Sequence, residues 1–171
     1  MKQTVNNVDV VVEYDNFPTN PIEYSDVLFV MFHKRYELGS THSIDPDDFD
    51  GWSEMQEHLE STFDYVTSIY MYDHSRIAFK TTSFGDRWDS GQVGFACANY
   101  KDFAITELRW VGMNEIVNDL LHEYQNYING EVYAVFLYDS ETGESIDSMS
   151  GFSSEEEAMQ SGIEQAVKFN D

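Results

Sequence analysis

Apolar and polar positions along this chain follow two rhythms, one with the period of a strand and one with that of a helix. Residues 8–14 (VDVVVEY) are rich in β-branched side chains and predict a strand. Pro18, Asn20 and Pro21 make 16–21 a loop, because proline removes a donor and restricts the residue before it. Residues 27–32 (VLFVMF) are apolar at every position, which predicts a central strand covered on both faces. A polar connection containing Gly39 follows over 34–43.

Asp45 is placed to cap a helix with Pro46 at its first position, and Asp47, Asp48 and Asp50 lie where the helix dipole favours anions. A helix is predicted over 46–61, starting only at Trp52 if Gly51 interrupts it. Trp52, Met55, Leu59 and Phe63 recur at near-helical spacing and form its inner face, with Asp50, Glu54, Glu57 and Glu60 on the other side. Runs 64–72 and 76–82, joined by the polar turn Asp73-His74-Ser75, predict paired strands. A loop carrying Trp88-Asp89-Ser90-Gly91-Gln92 then leads into a third strand over 93–98.

Residues 100–110 predict a short helix broken by Gly112, and 113–128 a long one. The long helix has an apolar stripe of Met113, Ile116, Val117, Leu120, Leu121, Tyr124, Tyr127 and Ile128, with Glu115, Asp119 and Glu123 in a row opposite. Asn129-Gly130 supplies a left-handed stop. A strand over 131–138, a turn over 139–144 and a strand over 145–149 predict a hairpin. Ser153 and Ser154 before Glu155-Glu156-Glu157 form a capping-box arrangement for a last helix, whose inner face is Met159, Ile163, Ala166 and Val167. No internal repeat or linker interrupts the pattern. The expectation is a single domain over 1–171, of α+β class, with a largely antiparallel sheet of about six to seven strands and three to four helices.

Charge changes this picture. The 171 residues hold 32 acids and nine Lys or Arg, a net charge of −23, while 42% apolar and 15% aromatic content argues against disorder. Ten acids and no Lys or Arg lie between Arg35 and Arg76; twelve acids, again with no Lys or Arg, lie between Arg109 and Lys168. Such an imbalance exceeds what solubility needs and destabilises a compact chain by self-repulsion. It disfavours nucleic acid and anionic membrane as partners and favours a basic protein surface. No apolar run is long enough to span a membrane, and the first residues lack the apolar stretch of a signal peptide, so a cytoplasmic location is expected.

Candidate chemistry is sparse. Cys97, the only cysteine, lies in an apolar strand and reads as a buried thiol. A calcium loop over 45–57 would put Pro46 where the first carboxylate ligand is required. His122-Glu123 opens like a zinc-protease motif but has Asn126 in place of the second histidine. No metal or cofactor is therefore expected. Asp73, His74, Ser75, Asp89, Ser90 and Gln92 include the residue types of a hydrolase site, yet both clusters also suit tight turns or a bulge. Tyr70, Tyr72, Trp88 and Tyr100 could stack on bases, but repulsion by this net charge makes core and sheet-face packing the expected role.

The segments YMYDHS (70–75), Thr82 and Phe84, and WDSGQVGF (88–95) resemble the signature of a family of small bacteriophage and mobile-element proteins. YQNYINGEVY (124–133) and DSMSGF (147–152) fit the same pattern, so the resemblance spans most of 27–152. Many members carry glycine after the His-Ser pair, where this chain has Arg76. The resemblance implies a phage-type origin and action inside a host cell, with no activity to carry over.

Three functions stay open on these grounds. The favoured one is a phage accessory protein that mimics the charge pattern of DNA and inhibits a basic, nucleic-acid-binding host protein, such as a restriction or CRISPR component. Its contact residues would be Asp47, Asp48, Asp50, Glu54, Glu57, Glu60, Glu115, Asp119 and Glu123. The second is a small-ligand binder or hydrolase using Asp73, His74, Trp88, Asp89, Ser90 and Gln92. The third is an acidic structural protein with no dedicated site. The favoured reading is non-enzymatic, and it leaves a homodimer open.

Overall fold

Val5-Asn6-Asn7-Val8 reverses the chain in two residues, because Asn6 (φ 49°) and Asn7 (φ 62°) both take the left-handed backbone that a tight hairpin requires. This turn joins β1 (Lys2–Val5) to β2 (Val8–Tyr14). β1 is an element that the apolar pattern alone does not announce. The computed structural model describes residues 1–103 and 110–169. The chain divides into two compact units, Met1–Thr19 with Asn126–Asp171, and Asn20–Gln125.

The first unit holds a four-stranded antiparallel sheet in the order β1-β2-β7-β8 and the helix Glu155–Lys168. β7 (Tyr133–Asp139) and β8 (Ser145–Phe152) form the expected hairpin, two residues later at its start and three longer at its end than predicted. Alternate residues Val8, Val10 and Val12 of β2 and Val135 and Leu137 of β7 form a buried cluster with Ala158, Met159 and Ala166 of the helix Glu155–Lys168. Ser154 caps that helix by accepting from the Glu157 amide at 3.2 Å, and the Glu157 carboxylate accepts in return from Ser153. Val167, expected on the inner face, is exposed; Gly162 takes the inward place instead. A Cβ there would meet the Val10 and Val135 side chains at 2.5 and 2.6 Å, so glycine sets how closely helix and sheet approach.

The second unit holds a four-stranded antiparallel sheet in the order β3-β6-β4-β5. Here β3 is Leu28–Met31, β4 Tyr65–His74, β5 Arg76–Lys80 and β6 Ser90–Ala98. The run over 27–32 is thus an edge strand, not a central one. Its open side is covered by the following loop: the Ser40 amide donates to Phe29 O at 2.8 Å and the Ser40 hydroxyl accepts from the Phe29 amide at 3.0 Å. Apolar residues on both faces are explained by what packs there. Val30, with Phe95 and Cys97 of β6 and Val66 of β4, clusters with Met55 and Leu59 of the helix α1 (Trp52–Glu60). Phe29, pointing the other way, stacks with Phe79 of β5 on Tyr124 of the helix α2 (Trp110–Asn129). α1 and α2 therefore cover opposite faces of this sheet.

The helix predicted over 46–61 is split. Pro46–Asp48 forms one 3-10 turn, with the Asp45 carboxylate accepting from the Asp47 amide at 3.0 Å. Gly51, at φ 97°, then breaks the chain before α1 starts at Trp52. Gly112, in contrast, does not end a helix: α2 runs through it from Trp110. The short helix read over 100–110 falls mainly on 104–109, outside the described residues; a 3-10 turn occupies Tyr100–Asp102. Among the described residues, eight strands in two antiparallel sheets with three α-helices replace the expected single sheet of fewer strands, within the α+β class.

Candidate functional site

The acidic residues predicted as contacts are all exposed. Six of them follow one another along the 3-10 turn and α1: Asp47, Asp48, Asp50, Glu54, Glu57 and Glu60. Glu54, Glu57 and Glu60 share one helix face at three-residue intervals, so neighbouring side chains sit roughly 5–6 Å apart at their Cβ atoms. Two are held locally. Glu54 accepts from the Asp50 amide at 2.6 Å, and Glu60 accepts from the Gln56 side-chain amide at 2.7 Å. Glu115, Asp119 and Glu123 form the predicted row on α2. Because α1 and α2 cover opposite faces of the sheet, the structure groups the six and sets the three apart from them. Among the described residues none of the nine forms a salt bridge. Three charges along α1 span about 9 Å of helix axis, one per about 4.5 Å, against one per about 3.4 Å along a single strand of B-DNA.

The second candidate region is brought together by the ends of β4, β5 and β6. The reversal after His74 is confined to Ser75, at φ 60°, and pairing continues on both sides of it as His74↔Arg76 and Asp73↔Ile77. Ser90, Gly91 and Gln92, expected in a loop, belong to β6 and pair with Tyr72, Met71 and Tyr70. The register shifts next to them: Ile69 pairs with Gly94 and Tyr70 with Gln92, which leaves Val93 as a bulge residue whose carbonyl accepts from Phe32 at 2.7 Å. This arrangement extends both strands and carries Asp89 to the Asp73–His74 end, where the Asp73 amide donates to Asp89 O at 2.8 Å.

Asp73, Trp88, Asp89, Ser90 and Gln92 then line one cavity of about 270 Å³, together with His33, Arg35, Met71, Gly91 and Val93. Five residues predicted from two distant segments thus share a wall. His33 and Arg35 were not foreseen; Arg35 reaches Asp73 across 38 positions of sequence through a salt bridge. His74 lies beside the cavity, its Nδ1 3.2 Å from the Asp89 carboxylate and its ring two-thirds exposed. The residues do not converge as a nucleophile and base. The Ser90 hydroxyl donates to Asp86 O, and Gln92 donates to Ser68 Oγ at 3.2 Å and Gly94 O at 3.4 Å. Asp86, absent from the predicted set, organises the loop: its carboxylate accepts from the amides of Trp88 at 2.8 Å and Asp89 at 3.2 Å. Those two bonds, aided by the nearby His74, hold its pKa below the ordinary aspartate value.

The aromatics divide. Tyr70, Tyr72 and Tyr100 are half-buried. Trp88 is 95% exposed, which overturns its expected core packing. Burial pushes the Cys97 thiol up to about 12, so it stays protonated at neutral pH. His122 and Glu123 lie exposed on α2. Among the described residues no group of three or more His, Cys, Asp or Glu is placed to hold a metal ion, and no helix is long and apolar enough to cross a membrane. The chain matches no family model, no curated protein and no solved structure.

Proposed function

We propose that the protein acts as an acidic decoy, a phage-type accessory factor that occupies the nucleic-acid-binding surface of a basic host protein in the host cytoplasm. The observation that supports this reading is the run Asp47, Asp48, Asp50, Glu54, Glu57 and Glu60, six exposed carboxylates on one short segment without a salt bridge among the described residues. Like charges at that spacing destabilise a helix by about 0.2–0.5 kcal/mol per pair. A segment kept for stability alone would alternate them with lysines. The cost is recovered if a Lys/Arg-lined cleft meets the face, because a preformed row of charges attracts such a cleft from a distance and releases its counterions. The row Glu115, Asp119 and Glu123 lies across the sheet and would meet a different part of the partner or a second partner molecule.

Capture tests this directly. The immobilised protein is incubated with host lysate at low salt and eluted first with duplex DNA and then with rising salt. Nucleic-acid-binding proteins released by DNA support the reading; a bound set that DNA does not displace overturns it. A small-ligand function rests on a separate observation, the shared cavity of about 270 Å³ at Asp73, Trp88, Asp89, Ser90 and Gln92. The side chains of Asp73, Asp89, Ser90 and Gln92 already bond within the protein, which favours the decoy.

A further inference from the structure

Trp88 presents an indole, a side chain that buries roughly 150–250 Å² when covered, almost wholly to solvent. Its mount is rigid. Asp86 holds the backbone amides of Trp88 and Asp89, Ser90 closes onto Asp86 O, and Asp89 is tied both to His74 and to the Asp73 amide. An exposed tryptophan on a loop already fixed by bonds loses little entropy on binding, which is the character of an interface anchor. Arg87 stands beside it, exposed and without an ion pair among the described residues.

The same unit carries a receptacle of matching chemistry. A cleft of about 820 Å³ has Met31, Phe32, Leu38 and Pro46 in its lining and Glu37 among its polar residues. Asp45, Asp47 and Asp48 flank Pro46 in sequence. Lys34 also lines the cleft and balances Glu37, so it is the three exposed aspartates beside Pro46 that make the neighbourhood net acidic. His33 lines both this cleft and the smaller cavity that Trp88 borders, so anchor and receptacle adjoin on one surface. Adjoining complementary patches are the requirement for a two-fold contact, in which residue i of one copy meets j of the other and j meets i.

We infer that the occupant of the cleft is Trp88 of a second copy of this chain, in a two-fold dimer where each indole enters the partner copy's cleft and each Arg87 faces Glu37 there. Electrostatics set the conditions. Two copies at −23 each repel over a Debye length of about 30 Å at 0.01 M salt, but over only about 8 Å at 0.15 M, where local complementarity decides. Dimerisation therefore strengthens from low to physiological salt, the opposite of decoy binding, and the two readings can fail separately.

Sedimentation velocity over micromolar to submillimolar protein at about 0.15 M salt tests the contact. The wild-type chain is expected to dimerise reversibly. Trp88→Ala should weaken the dimer on the order of a thousandfold, because each dimer loses two anchors and each anchor is worth roughly thirtyfold. Leu38→Glu should do the same from the other side, and an equimolar mixture of the two variants should recover a heterodimer through the one intact contact. The exposed pair Glu37→Arg and Arg87→Glu provides a check that does not depend on how Leu38→Glu folds: each alone should weaken the dimer, and both in one chain should restore it. A wild-type monomer at every concentration, a dimer indifferent to Trp88→Ala, or absence of both recoveries overturns the inference.

Discussion

Gly94 shows how one side chain, or its lack, sets the second sheet. A Cβ at this position would stand 1.9 Å from Val30 O and 2.8 Å from Met31 Cα, so β3 can pair with β6 at this register only because the atom is absent. Gly94→Ala must push the edge strand outward and open the cluster of Val30, Phe95 and Leu59. We expect a loss of about 3 kcal/mol, the upper end for overpacking, and a fall in melting temperature of roughly 10 °C. An unchanged melting temperature would mean that β3 yields without cost. Asp86 acts at the same scale on the loop that holds Trp88. Its folded pKa is depressed, so its bonds to the Trp88 and Asp89 amides contribute at pH values above the unfolded aspartate value, about 3.9. That contribution is lost as pH falls through the lower folded value. A carboxylate titration followed by NMR should place the Asp86 midpoint below the ordinary value, and a midpoint at or above it would contradict the geometry.

At the scale of elements, the patterns that could be read were those in which local chemistry and tertiary packing agree. The β-branched run of β2, the stripe of Met113, Val117, Leu121 and Tyr124, and the Ser154–Glu157 cap all formed because the buried face is the one the periodicity marks. The misreadings have physical causes. Gly112 stays helical because a cost of about 1 kcal/mol for glycine is small against the burial of a twenty-residue helix. β3 resembles a central strand because helices bury both its faces, and hydropathy does not reveal that Ser40 rather than a strand satisfies its far edge. Arg35 beside Asp73 is a contact across 38 residues that no local pattern encodes. Trp88 was readable as a loop residue, but net charge spoke against base stacking and so favoured packing, and charge says nothing of whether an indole is covered. The acidic face of α1 leads to a prediction at this scale. Glu57→Gln, combined with Glu115→Gln and Asp119→Asn, removes like-charge neighbours without touching a buried group. The melting temperature should hold or rise by a few degrees at low salt, and the gain should shrink as salt screens the repulsion. A clear fall would show that these carboxylates have stabilising partners.

For the whole molecule the issue is whether charge placement, or charge alone, governs what the protein binds. With 32 acids against nine Lys and Arg, any cation-exchange-like capture of basic proteins would scale with net charge and ignore position. A decoy requires position. Two variants separate the cases. One neutralises Asp47, Asp48, Asp50, Glu54, Glu57 and Glu60; the other neutralises an equal number of exposed acids in the first unit, at Glu13, Glu141, Glu144, Glu155, Glu156 and Glu164. Both carry the same net charge. The most direct measurement is the amount of DNA-displaceable host protein captured by each at low salt, relative to wild type. The proposed function predicts that the first variant loses most of this capture and the second retains it. Equal loss in the two, or retention by the first, would contradict it.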